Sequence, residues 1–227
     1  MKFLSLFLLT LMAFNPLKFC LDSDSGFLVE DDKILAVTIK SDGENYKQNI
    51  TIEIENGDET IILKPIANSG YNPNVFIANF LDNGFEQLLY SVESGGSGGY
   101  SFYELYSLND GTQLLFNSQD FNPTITAKEY NENIIELNYQ GQKLYLDSSM
   151  SKCDQVTSDC SIEVVSVNTI LPFYNIALDR YYLQVLQPVY QGYRANNLGY
   201  VSTILQINED GYDTINIGIL KNFEYKR

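Results

Sequence analysis

The sequence predicts an all-β chain of two similar antiparallel multi-stranded units, forming an incomplete propeller-like stack or a packed-sheet sandwich. Three observations carry that prediction. Short runs rich in Ile, Val, Leu, Tyr and Phe recur with turn residues between them. No segment holds an apolar stripe at helical spacing. Gly99-Tyr100 followed by Asn109-Asp110-Gly111 returns, with the same internal spacing, as Gly199-Tyr200 followed by Glu209-Asp210-Gly211.

Taken in order, the first set of predicted strands is ILAVTI (34–39), NITIEIE (49–55), TIILK (60–64), NVFIANF (74–80), FEQLLYSVE (85–93), YSFYELYSL (100–108) and TQLLF (112–116). The second set is TITAKEY (124–130), NIIELNY (133–139), QKLYL (142–146), SIEVVSVN (161–168), YYLQVLQPVY (181–190), GYVSTILQI (199–207) and DTINIGIL (213–220). Alternating Ile and polar residues flank Asn56-Gly57, a hairpin signal. Further parallels join 50–63 to 134–146 and 71–90 to 171–186, the latter through a shared Pro and Ile-Ala pair. The units are therefore placed at 27–120 and 121–227, with a cysteine loop inserted in the second.

Residues 1–14, MKFLSLFLLTLMAF, place one Lys before an apolar run too short to span a bilayer. That is the pattern of a signal peptide, taken as residues 1–25, and it predicts a secreted or extracytoplasmic, cell-surface protein. Cys20 stands where a bacterial lipoprotein carries its lipidated Cys, although Leu17-Lys18-Phe19 replaces the small residues expected there. Membrane association is expected only if Cys20 is lipidated. In such a compartment Cys153 and Cys160, separated by six polar or turn-forming residues, are expected to form a disulfide.

Composition removes whole classes of chemistry. The 227 residues include no His, which excludes an imidazole base and a His-ligated metal. A formal charge of -15 argues against a nucleic-acid surface. The loss of residues 1–20 would remove two lysines and no acid, making the remainder more acidic still.

Two kinds of site remain. Acidic turns supply oxygen ligands suited to calcium: Asn79, Asp82, Asn83 and Glu86 in one, and Asn208, Asp210 and Asp213 in the other. Their competing reading is ordinary hairpin chemistry. Dense tyrosines form the other kind. Tyr100 and Tyr106 read as strand residues facing the core, whereas Tyr190, Tyr193 and Arg194 are placed in a loop with a surface binding role. Ser94-Gly95-Gly96-Ser97-Gly98-Gly99 lacks the Lys of a phosphate loop and reads as an inter-strand connection.

The blocks IANFLDNGFEQLLYSVESGGSGGYSFYELYSL (77–108) and ALDRYYLQVLQPVYQGYRANNLGYVSTILQI (177–207) resemble uncharacterised secreted or lipoprotein-like proteins of Gram-positive spore-forming bacteria, with degenerate VCBS or FG-GAP repeats. The resemblance implies propeller-blade-like modules with calcium in acidic turns. Asn79, Asn83 and Gln87 fall at the repeat's acidic positions, with Leu81 at a missing ligand. Asn208 and Asp210 match in the second turn, while Gln206 and Thr214 depart from the pattern.

The expected function is a non-catalytic extracytoplasmic β module with a structural, adhesive or cell-surface binding role. Its expected partner is a cell-wall polymer or an extracellular protein, with no cofactor beyond the calcium considered above. The alternative is a carboxylate-based hydrolase of cell-wall or extracellular glycans.

Overall fold

The computed structural model describes residues 19–20, 25–30, 33–96, 99–118, 124–149, 151, 153 and 160–221. The described residues contain strands and turns and no helix, so the fold is all-β. Most of the leader and residues 154–159 of the cysteine loop lie outside them.

Four antiparallel sheets are formed. The first joins β2 (Ser25–Glu30), β3 (Lys33–Asp42), β4 (Gln48–Asn56) and β5 (Glu59–Leu63) in that order. The second runs β1 (Phe19–Cys20), β6 (Tyr71–Ala78), β7 (Gln87–Glu93), β8 (Ser101–Ser107) and β9 (Gln113–Asn117). The third holds β10 (Ile125–Asn131), β11 (Ile134–Tyr139) and β12 (Gln142–Asp147). The fourth holds β13 (Ile162–Val164), β14 (Thr169–Asn175), β15 (Arg180–Gln191), β16 (Tyr193–Asn208) and β17 (Gly211–Lys221), with β13 and β14 sharing one edge of β15.

The alternation of apolar and polar residues decides which faces meet. Ile50, Ile52 and Ile54 of β4 pack with Ile77, Leu88, Tyr90 and Tyr106, joining the first sheet to the second. Leu89, Tyr103 and Leu105 occupy the other face of the second sheet and pack against Tyr181, Leu183, Val185 and Leu205 of the fourth. Val189, Val201 and Ile217, further along the fourth sheet, pack on Ile135, Leu137 and Leu146 of the third. The fourth sheet thus receives the second near one end of its long strands and the third near the other.

Prolines sit where a missing N–H removes no ladder bond. Pro73 lies in the irregularity between Tyr71 and Asn74, and Pro172 lies in β14, which pairs only with β15. Pro188 falls between the stretches of β15 paired by β14 and by β13, and its carbonyl accepts the Val165 N–H at 3.1 Å. The carbonyl and nitrogen of one strand residue point to the same side, so the absent N–H faces that break. The sequence reading ends one strand at 168 and begins the next at 181, so it misses β14, whose Pro172 disguises a strand.

The internal parallels need a register correction. The β4–β5 hairpin closes on Asn56 opposite Glu59, and β11–β12 on Tyr139 opposite Gln142. Ile52 and Ile54 therefore correspond to Ile135 and Leu137, all buried. Aligning Gly57 with Gly141 instead would set Ile52 against Glu136 and reverse the faces. The Ile-Ala match fails for a different reason. Ile77-Ala78 is buried in β6, whereas Ile176-Ala177 lies in the β14–β15 turn with Ile176 74% exposed.

Candidate functional site

A cavity of about 350 Å³ opens beside the packing of the second sheet on the fourth. Its lining is Ser94, Tyr100, Ser101, Phe102, Ser118, Ser166 and Val167. Five of these side chains carry a hydroxyl and none carries a charge, although the chain as a whole has a formal charge of -15.

Local chemistry holds each wall. The Gly-rich turn is closed by the Ser94 N–H donating to the Tyr100 carbonyl at 2.8 Å. Gly95 and Gly99 have φ of +72° and +61°, values that favour residues without a Cβ. Tyr100 and Phe102 follow on β8 or just before it. Ser118 is fixed beyond β9 by a reciprocal pair. The Tyr103 N–H donates to its Oγ at 2.8 Å, and its own N–H donates to the Tyr103 carbonyl at 3.0 Å.

Tyr103 also spans the two sheets. Its hydroxyl meets the Ile170 backbone and the Ser101 side chain, while burial pushes its pKa upward. On the opposite wall, Val165 and Asn168 donate backbone N–H groups to Pro188 and Leu186, each at 3.1 Å. The intervening Ser166 and Val167 are held at the cavity by these two anchors. A neutral, hydroxyl-lined recess with aromatic surface can accept and donate hydrogen bonds to a polar, uncharged ligand.

The residues singled out from sequence are distributed differently. Tyr190 is not in a loop: it lies in β15, paired with Glu163 and Asn197, and is 8% exposed. Extended pairing on both sides removes it from the surface. Tyr193 and Arg194 are also strand residues, in β16, and their side chains lie outside the described ones. Tyr106 is buried as expected, while Tyr100 is half-buried and lines the cavity.

The acidic turns are internally bonded. The Asn83 N–H donates to Asn79 Oδ1 at 3.3 Å, and the Phe85 N–H donates to Asn83 Oδ1 at 3.1 Å. Asp82 has φ +56°, a turn conformation. Gln87 accepts the Phe80 and Leu81 N–H groups at 2.6 and 3.0 Å and donates to the Phe85 carbonyl at 2.6 Å. Its buried amide is a brace for the turn that also carries Glu86. In the second turn Asn208 Nδ2 donates to Asp213 Oδ2 at 3.0 Å, beside the Asp210-Gly211 bend. Among the described residues, no group of three or more His, Cys, Asp or Glu side chains is placed to hold a metal ion.

The Cys153–Cys160 disulfide is present, with a Cα–Cα distance of 5.8 Å. Both flanks of its loop grip the β15–β16 tip. Asn196 Nδ2 donates to Ser151 Oγ at 3.1 Å, and the Gly192 N–H donates to the Ser161 carbonyl at 2.8 Å. The cavity serines were not selected from sequence, because Ser94 reads as loop composition and Ser101, Ser118 and Ser166 belong to separate segments. Only pairing and packing bring them together.

No family model matches the chain, and no solved structure matches it. A curated relative, the uncharacterized protein YybI of Bacillus subtilis (strain 168), is 28% identical over 201 residues, covering 78% of this chain and 74% of the relative.

Proposed function

We propose that this protein is a non-catalytic extracytoplasmic binding module that takes a neutral, hydroxyl-rich ligand, a cell-wall or extracellular glycan, in the cavity between its second and fourth sheets. The carrying observation is the lining among the described residues: five hydroxyls, the Tyr100 and Phe102 rings, and no charge. Sugars present hydroxyls at their edges and C–H groups on their faces, the complement of serine hydroxyls and aromatic surface. The signal-peptide-like leader and the disulfide support an extracytoplasmic setting.

The enclosed carboxylates support binding over hydrolysis. Glu104 on β8 and Glu136 on β11 lie in different sheets, and each is engaged by internal donors. The finer resemblance to FG-GAP or VCBS modules belongs to the same reading. It requires no calcium at Asn79 or Asn83, whose amide oxygens already receive backbone N–H groups.

The test is an amide-resolved NMR titration with a panel of neutral gluco-, galacto- and N-acetylglucosamine oligosaccharides. Shifts should concentrate at Ser94–Phe102, Ser118 and Ser166–Val167, and Tyr100→Ala should weaken them. A panel that leaves these amides unmoved overturns the proposal.

A further inference from the structure

A second recess of about 240 Å³ lies where the third sheet meets the fourth, lined by Tyr139, Gln140, Gln142 and the run from Thr214 to Ile217. The β17 wall carries a bulge: Ile204 pairs with Asn216 and Leu205 with Thr214, leaving Ile215 as the additional residue.

The facing wall is a tight turn with an unusual occupant. Gln140 and Gly141 have φ of +49° and +89°, so both central positions of the β11–β12 hairpin are left-handed. Gly, Asn and Asp are the residues that suit such a position, and a longer side chain there costs about 1 kcal/mol. The turn is secured by the Gly141 N–H donating to Asn138 Oδ1 at 2.9 Å. Gln140 therefore brings an amide to the recess at a position where Gly would serve the backbone better.

The remaining polar groups are also neutral. Asn216 Oδ1 accepts the Ile217 N–H at 2.9 Å, leaving its NH2 group as the donor it can offer. Tyr139, buried at the base, shares a 3.3 Å hydrogen bond with Thr214 Oγ1.

We propose that this recess is a second binding site, for a neutral saccharide unit recognised through the Gln140, Gln142 and Asn216 amides. Primary amides both donate and accept, matching hydroxyl groups that do the same, and uncharged walls avoid selecting an ionic ligand. The site shares a ligand class with the reading above but no residue of its cavity. The module would then hold a glycan at two separate places.

Gln140→Gly separates binding from folding. It removes the amide and suits the left-handed backbone, so the variant should keep or raise the thermal midpoint. In titrations with the same oligosaccharide panel, the amides of 139–142 and 212–217 should shift in the wild-type protein. Gln140→Gly and Asn216→Ala should each weaken that site about fivefold, the weight of one net hydrogen bond, while Tyr100→Ala leaves it unchanged. Shifts confined to the first cavity overturn this second site and retain the first. Shifts confined to 139–142 and 212–217 do the reverse. No shift at 139–142 and 212–217 with any panel member, or unchanged affinity in both recess variants, overturns the inference.

Discussion

Replacing Glu104 by Gln should destabilise the fold far more than the loss of one surface charge. Glu104 is fully buried on β8, and its carboxylate accepts the Ile66 and Ala67 N–H groups at 3.0 and 2.8 Å. The Tyr106 hydroxyl donates to the same carboxylate, while Tyr90 donates to the Ala67 carbonyl at 2.9 Å. The acid thus ties the segment between β5 and β6 to the middle of the second sheet. A glutamine retains one acceptor oxygen but sets an NH2 group against a backbone N–H. One buried donor loses its partner, at about 1–3 kcal/mol, and the surviving bonds lose charge assistance. The combined cost should be about 3 kcal/mol, or about 6–12 °C in thermal midpoint for a chain of this size. Urea unfolding, monitored by far-ultraviolet circular dichroism, gives the free energy directly. Glu53→Gln, on the first sheet and paired with Lys40, is the control and should cost no more than about 1 kcal/mol. A Glu104→Gln variant within about 0.5 kcal/mol of wild type would refute the carboxylate's role as a multiple acceptor.

Other perturbations test different parts of the molecule. Replacing both Cys153 and Cys160 by Ser should lower stability by about 2.5 kcal/mol through loop entropy, with increased hydrogen exchange at 161–164; unchanged exchange there would contradict the proposed grip on the hairpin tip. Burial raises the pKa of Tyr90, Tyr103 and Tyr106, with Glu104 reinforcing the shift at Tyr90 and Tyr106. Their stabilising contribution is complete below the unfolded phenol value of about 10 and is lost as pH rises above it. An alkaline ultraviolet titration should show these phenols ionising only with unfolding, and their ionisation in the folded protein would refute the assignment. At the acid end, Ser149 and then Lys221 hold the Asp147 pKa down at about 2, while hydrogen bonds from Lys128 and Lys143 lower that of Glu136. Both contributions are present above the unfolded carboxylate values of about 4 and fade as pH falls toward 2. Asp147→Asn should flatten that acid limb in thermal midpoints, and an unchanged slope would exclude this linkage.

Much of the local fold was legible in sequence. Alternating Ile and polar residues in β4 marked both its extended conformation and its buried face, and Asn56-Gly57 marked the end of its hairpin. The Cys153–Cys160 pair was likewise readable, because spacing and a leader-like segment pointed to the same chemistry. Register between the two halves was less accessible. Gly57 and Gly141 serve successive positions of different turns, so matching the glycines slides the strands by one residue. The Ile-Ala match compared a buried strand with an exposed turn because composition alone carries no facing direction.

The candidate sites were less legible still. Tyr190 reads from sequence as a loop residue, but pairing on both sides of β15 buries it. Conversely, Ser101, Ser118 and Ser166 gave no local signal, since a serine becomes part of a cavity only through what faces it. The bulge at Ile215 depends on two strands keeping different counts, which neither strand records alone. The sequence by itself determined an acidic, His-free, all-β chain and the apolar faces of many strands, because composition and two-residue periodicity are local properties. Tertiary structure decided which sheets meet, where Pro188 can interrupt pairing, and which neutral side chains enclose the two recesses, because those outcomes arise from contacts between segments distant along the chain.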